Sequence, residues 1–433
     1  MKKAFILSIS LILGFNNSYA QDTNNIVETS FIERVLGELA SDDMRGRHAF
    51  TADAERAADF IASEFRTIGL EPYAKDSYKQ SFAMNKVSRE EAAVVLDSKP
   101  IAKNKFLILG NEKELTWDQK SNIQIGLIKK TDDFATKFRA YANGNENIIV
   151  WVDPSFASYI ERFNKIYGKD NVSAASAKST PTRVFIVAEG LTKDFQISYK
   201  NNIQPITMSN VAGMIPGNEK PHEYVIFSGH YDHIGILPAE GGQDSIANGA
   251  DDDASGITAM ISLAKYYKEQ GNNARTLIFV AFTGEEVGMY GSKYFSNNIN
   301  ADSVVAMINI EMIGKDSKFG PNSLYITGYD RSNLGELMQQ NLKGSSFTFH
   351  PDPYTAQNLF YRSDNAVLAA LGVPAHTFST SQIDKDEYYH TVKDEISTLD
   401  IGNIKSSIEA IAIGAKGIVD GSQTPNRVEK LKD

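Results

Sequence analysis

The chain has 433 residues, a formal net charge of -10, 42% hydrophobic and 23% charged residues, and no cysteine. That length can bury two or three domains, or one large α/β unit with an insertion, and the acidic balance argues against nucleic acid or anionic membrane as a partner. Without cysteine there is no disulfide framework, thiol nucleophile or thiolate metal site, so any metal must be held by His, Asp and Glu.

Residues 1–20 carry Lys2 and Lys3, an apolar run from Ala4 to Phe15 and the ending Ser18-Tyr19-Ala20, the layout of a secretory signal cut before Gln21. Export to the periplasm or beyond the cell is expected, and no later run is long and apolar enough to span a bilayer. Ile32, Val35, Leu36 and Leu39 lie at the spacing of one helical face. A second helix is predicted from about Asp53 to Ile68, with Ala57, Phe60, Ile61 and Phe65 on one stripe and Gly69 as its stop. The link between them, Met44-Arg45-Gly46-Arg47-His48, reads by itself as an exposed basic loop.

Residues 21–99 form the first part of one domain. From 100 to 205 short strand-like runs, FLILG, IQIGLI, NIIVWV and RVFIVA, alternate with polar stretches and one or two helical segments, which predicts an inserted β-rich domain. From 206 to 433 strands alternate with helices. YVIFS, TLIFVAF, VVAMINI, SLYIT and GVPAHTFS are strand-like, and ASGITAMISLAKYYKEQ is helical. The pattern predicts an α/β fold with a mostly parallel central sheet flanked by helices on both faces.

Ligands of an open α/β sheet sit outside the carboxyl ends of its strands, and polar residues stand there in each unit from Tyr224 to Glu311. Of the seven histidines, His48, His222 and His350 stand in loop contexts, His376 lies in an apolar run as a core residue, and His233 reads as a loop residue. His230 follows YVIFSG and precedes Asp232 by two positions, which suits a ligating imidazole oriented by a neighbouring carboxylate. Asp251, Asp252 and Asp253 follow as three adjacent acids whose repulsion a cation would offset. Glu285 and Glu286 sit past TLIFVAF, where adjacent carboxylates can divide metal binding from proton transfer. Glu311 ends VVAMINI, and His390 comes from EYYHTVKD. His230, Asp251, Glu286, Glu311 and His390 thus make five N/O ligands, a set that suits a pair of zinc ions sharing one carboxylate, with another divalent metal as an alternative.

The motifs GHYDH, NGADDDASG, AFTGEEVGMYGS, NIEMIG and YYHTVKD resemble those of the co-catalytic di-zinc aminopeptidases, a family that also includes glutamate carboxypeptidases, glutaminyl cyclases and the transferrin receptor ectodomain. LASDDMRGR, FRTIGLEP and YRSDNAVLAALGVPAH extend the likeness and make the basic-loop reading of MRGR less apt. The resemblance implies that Asp251 bridges two zinc ions, that His230 and Glu311 complete one site, and that Glu286 and His390 complete the other. It further implies Glu285 as general base, Asp232 as the partner of His230, Tyr389 as a stabiliser of the tetrahedral intermediate and Arg362 as a substrate contact. Glu311 stands where relatives more often have Asp, and Asn365 where many have His. The insert occupies the place of a protease-associated domain, though no motif in it proves that identity.

The implied reaction is hydrolysis of N-terminal residues from peptides by a zinc-activated water with Glu285 as base. Carboxypeptidase, dipeptidase and glutaminyl cyclase activity are alternatives on the same fold, and a metal-free binding module is a rival of another class. A serine hydrolase lacks its GxSxG elbow here.

Overall fold

A computed structural model of the protein describes residues 26–167, 171–175, 179–238 and 244–431. The expected export signal lies outside the described residues. The chain opens with helices α1 (Thr29–Leu39) and α2 (Ala52–Ile68), which bury Ile32, Val35, Leu36 and Leu39 on one and Ala57, Ile61 and Phe65 on the other. Thr51 caps α2 by accepting from the Asp53 N–H, and Gly69 ends it at φ 82° in the left-handed region.

Strand β1 (Lys79–Leu96) leaves the body as one arm of a long hairpin. Beyond it come β2 (Phe106–Leu109), β3 (Gln124–Ile128), α3 (Phe134–Ala142), β4 (Ile148–Val152), α4 (Ala157–Tyr167), β5 (Asn171–Ala174) and β6 (Arg183–Val187). The chain returns along β7 (Phe195–Ile215), paired antiparallel to β1 from Phe195 opposite Leu96 to Val211 opposite Lys79. The order β2–β6–β4–β3 makes a separate small sheet. Phe134 and Phe138 of α3 and Ile160 of α4 cover one face, and Trp117, Ile197 and Tyr199 pack on the other. The insert is therefore a layer of short strands joined by two helices, α3 and α4, where strand-like runs with one or two helical segments were expected. Its expected end at residue 205 falls inside β7, because the two hairpin arms belong to both parts.

The second half runs β8 (Lys220–His230), α5 (Gly256–Gln270), β9 (Arg275–Phe282), α6 (Tyr290–Asn297), β10 (Val304–Ile310), β11 (Ser323–Ile326), α7 (Leu334–Asn341), β12 (Thr348–Pro351), α8 (Asn365–Ala370), β13 (Ala375–Ser379) and α9 (Ile401–Gly414). The main sheet follows the order β12–β11–β13–β10–β8–β9–β7–β1. Pairing is parallel through β13–β10–β8–β9 and antiparallel at β11–β13, β9–β7 and β7–β1. The fold is thus the expected helix-flanked α/β sheet, with its parallel part at the centre. Helices α1, α2, α5 and α9 pack on one face, while α6 and α8 pack on the other through Phe295, Leu368 and Ala369. All eight residues of β9 are buried, as a strand covered on both faces requires. Among the described residues no helix is long and apolar enough to cross a membrane.

Candidate metal centre

The central strands end nearly flush, with His230 opposite Phe282 and Ser228 opposite Asn309. Residues just past each end are therefore delivered to one place. His230 closes β8, Glu285 and Glu286 follow β9, and Glu311 follows β10. The loop before α5 brings Asp252 among them. A helix N-terminus favours carboxylates, and Asp253 fastens the loop by accepting from the N–H groups of His230 (3.1 Å), Gly256 (3.1 Å) and Met312 (3.2 Å). Gly256 is needed for this approach, because a Cβ there would run into the Ile310 carbonyl and the Asp253 carboxylate.

Asp252 faces two imidazoles with its two oxygens. Its Oδ1 lies 3.2 Å from Nε2 of His230, and its Oδ2 lies 3.2 Å from Nε2 of His390. Glu311 Oε1 is 3.7 Å from His230 Nε2, and Glu286 Oε2 is 3.1 Å from His390 Nε2. His233, read from the sequence as a loop residue or at most a neighbour of a ligand, is fully buried and adds a third imidazole, with Nδ1 2.8 Å from Glu286 and 3.7 Å from Asp252. Two donor clusters result, His230–Asp252–Glu311 and His233–Asp252–Glu286, with His390 beside the second.

The donor set fits cations. Ligands 2.0–2.1 Å from a tetrahedral zinc lie about 3.3 Å from one another, close to the separations here. Nε2 of His230, Nε2 of His390 and Oδ2 of Asp252 are buried and have no hydrogen-bond partner despite those short separations, as expected where lone pairs converge on a point between them. His230 is oriented for this role, since its Nδ1 lies 3.0 Å from the Asp232 carbonyl, which accepts a hydrogen bond from Nδ1–H and leaves Nε2 free to ligate.

The charges are arranged to match. Burial works against an ionised Asp252, yet His233, His230 and His390 hold its pKa well below the usual carboxylate range. Glu286 is also lowered, by His233 and His390 against burial and the Asp252 charge. His390 is raised to about 10 by Asp252 and Glu286 against burial, so a proton on its ring takes the positive place that a metal would fill. Glu285 differs: burial raises it well above the ordinary value, with Glu311 and Asp364 adding to the rise and His230 opposing it. A carboxyl of raised pKa beside such a donor cluster suits a proton carrier.

The structure brings His230, Glu286, Glu311 and His390 together as the sequence suggested, and separates Asp251 from them. Asp251 points away from the imidazoles. Its Oδ1 accepts from the Gly314 N–H at 2.7 Å, and its Oδ2 lies 3.4 Å from Lys315. The middle acid of the triplet takes the shared position, because the loop turns by one residue more than motif alignment assumed. Asp232 is also reassigned. Its carbonyl meets His230, while its carboxylate accepts from the Glu285 N–H at 3.2 Å and so fixes the Glu285 backbone. The MRGR link is not exposed at its second arginine. Arg47 is fully buried and donates to the carbonyls of Leu39, Tyr231, Asn248 and Gly249, with the carboxylates of Asp252, Asp394, Asp232 and Asp253 opposing the effect of its burial.

Two residues escaped the sequence reading. Asp394 accepts from the N–H groups of Asp251 (3.0 Å) and Asp252 (3.0 Å), holding the acidic loop from the segment that carries His390. Its place four residues past His390 was the available signal. Lys315 joins Asp251 to Asp386 (2.7 Å) of that same segment. His376 is a core residue as expected, bonded to the Thr327 carbonyl and the Ser332 hydroxyl.

A cavity of about 340 Å³ opens beside the cluster, lined by Asp252, Glu285, Glu286 and Glu311 at one end and by Met289, Tyr325, Leu359, Arg362 and Tyr389 elsewhere. Tyr389 stacks on His390 with ring centroids 3.9 Å apart. Arg362 is exposed at the wall. Residues 210–413 match the family model described as Peptidase family M28. This part of the chain is similar to peptidase family M28.

The sheet and its helices have solved counterparts. An aminopeptidase from Aneurinibacillus sp. strain AM-1 superposes with a TM-score of 0.57 at 17% identity, over 94% of this chain and 95% of that one. BSAP, a zinc aminopeptidase from Bacillus subtilis, does so with a TM-score of 0.54 at 17% identity, over 94% and 99%. At such identities the likeness establishes the fold. A probable zinc metalloprotease of Pyrenophora teres f. teres is 36% identical over 114 residues, 26% of this chain and 24% of that protein. One from Pyrenophora tritici-repentis is 34% identical over 114 residues. The chain thus spans about a quarter of the length of these curated relatives.

Proposed function

We propose that the protein is an exported zinc-dependent exopeptidase that releases N-terminal residues from peptides. The observation that carries this reading is the pair of donor clusters sharing Asp252 at the mouth of a substrate-sized cavity, with Glu285 beside them. Zinc held by His230, Asp252, Glu311, Glu286 and His390 would supply Lewis acidity and a lower pKa for water. Glu285, its backbone fixed by Asp232, takes the proton from the attacking water and returns it to the leaving amine. Tyr389 donates from the cavity wall to the oxygen that gains charge, and burial, with Asp252 and Glu286, keeps its phenol protonated by raising its pKa. Arg362 contacts the part of the substrate beyond the scissile bond.

The test is hydrolysis of aminoacyl-p-nitroanilides and their N-acetylated counterparts, with added zinc and after chelation. Release from free-amine substrates alone, lost on chelation and regained with zinc, is the expected result. Release from acetylated peptides instead would replace the aminopeptidase by a carboxypeptidase, and turnover untouched by chelator would end the metal reading.

A further inference from the structure

A second cavity, of about 400 Å³, lies where the insert meets the long hairpin. Phe106, Ile108 and Arg183 line it from the insert sheet, Val87 and Arg89 from β1, and Tyr290 from the start of α6. Its charged lining is two arginines, and among the described residues no Asp or Glu lines it.

Both guanidinium groups are half-buried, and neither has an ion pair among the described residues. Arg89 donates Nε to Asn201 Oδ1 at 2.6 Å and Nη2 to the Gly110 carbonyl at 3.0 Å, 4.2 Å from the centre of the Tyr199 ring. The hairpin register slips between Lys200 and Asn201, and a bulge of this kind re-aims a side chain out of the strand pattern. Arg183 donates Nη2 to the Gly144 carbonyl at 2.6 Å, while its Nε is buried with no partner. Burial lowers the pKa of both, and no carboxylate offsets the loss of water. In a chain of net charge -10, two partly desolvated cations on one cavity, with apolar side chains beside them, mark a place for an anion.

We infer that this cavity is a second ligand site, which takes the carboxylate of a small molecule or peptide end bearing an apolar group. Arg183 and Arg89 hold the carboxylate by charge-assisted hydrogen bonds, and Val87, Phe106 and Ile108 cover the apolar part. The site is coupled in space to the catalytic cavity. Gly288 and Met289 line that cavity, and the next residue, Tyr290, lines this one and donates its hydroxyl to the Val172 carbonyl at 2.7 Å.

Two sources supply such a carboxylate, the C-terminus of a peptide or a free small acid. The full chain is titrated calorimetrically with N-acetylphenylalanine and with its amide. Binding of the acid at least tenfold tighter than the amide is expected, lost by at least tenfold in Arg183→Met and partly kept in Arg183→Lys. Arg89→Met repeats the measurement from the opposite wall. Equal binding of acid and amide, or wild-type binding of the acid by Arg183→Met, would overturn the site. Turnover of a short p-nitroanilide should be unchanged in Arg183→Met, which certifies the fold of that variant. For a free-acid tripeptide and its amide, a KM difference erased by Arg183→Met assigns the site to a peptide end, and equal KM values assign it to a free acid. Calorimetry needs no hydrolysis, so this proposal and the exopeptidase reading fail separately.

Discussion

The two imidazole sides of the centre are built differently. His230 is 1% exposed, lies at the end of a buried parallel strand and has its tautomer set by a carbonyl two residues on. His390 is 37% exposed at its side chain, sits in a loop at φ 57°, and keeps its place through contacts made by its neighbours. The left-handed backbone of a non-glycine residue costs free energy that surrounding structure must supply. Asp394, Asp386 and Lys315 supply it by binding the segment to the acidic loop. One side is therefore a product of the sheet and the other of a strap, and the cation on the strap side should be the more easily lost.

Replacing the group common to both sides is the most damaging change. Asp252→Asn should reduce bound zinc from two equivalents to below one and bring hydrolysis below detection, whereas Asp251→Asn should keep both ions; two ions retained by Asp252→Asn would refute the shared position. Glu285→Gln should lower kcat by about 10²- to 10⁴-fold with unchanged zinc content, as read by parallel rate and metal analysis. Asp394→Ala leaves two backbone donors of the acidic loop without their acceptor. It should weaken one zinc by about 10- to 100-fold, with the other unmoved in a chelator competition; simultaneous loss of both would break the sheet-and-strap distinction. Lys315→Met should act in the same direction and more weakly.

The smallest effect concerns pH. Asp364 is fully buried behind the His230 side, and its pKa is raised to about 7, chiefly by burial, with His230 and Ser292 opposing and Asp232 and Glu311 adding. A raised pKa in the folded state means stability that is present at low pH and is lost as pH rises through about 7. In chelated protein, Asp364→Asn should raise Tm relative to wild type at pH 8 and by clearly less near pH 5. An equal shift at both values would show that the effect is steric.

The central strands were legible because a strand buried on both faces is an uninterrupted apolar run, as in TLIFVAF, and the chemistry was legible because it sits just past such runs. What remained hidden depends on geometry finer than a run. Three consecutive aspartates are chemically equivalent on paper, and only the turn of the loop decides that Asp252 faces the imidazoles while Asp251 faces Gly314. Asp232 was read by its side chain although its carbonyl does the orienting. Arg47 looked exposed because charge is normally solvated, and four carbonyls from distant segments are invisible in its neighbourhood. The insert boundary was misplaced because β1 and β7 serve two layers at once.

That hairpin has a consequence for how such a molecule is modified over time. From Lys79 opposite Val211 out to Leu96 opposite Phe195, the residues of the two arms are cross-strand partners. The chain therefore departs from and rejoins the catalytic body side by side. Segments can be exchanged at the tip while the strand pairings below it stay in register, the slip between Lys200 and Asn201 included. The insert can diversify at its far face, while the contacts it makes with the arms and with Tyr290 tie its near face to the sheet.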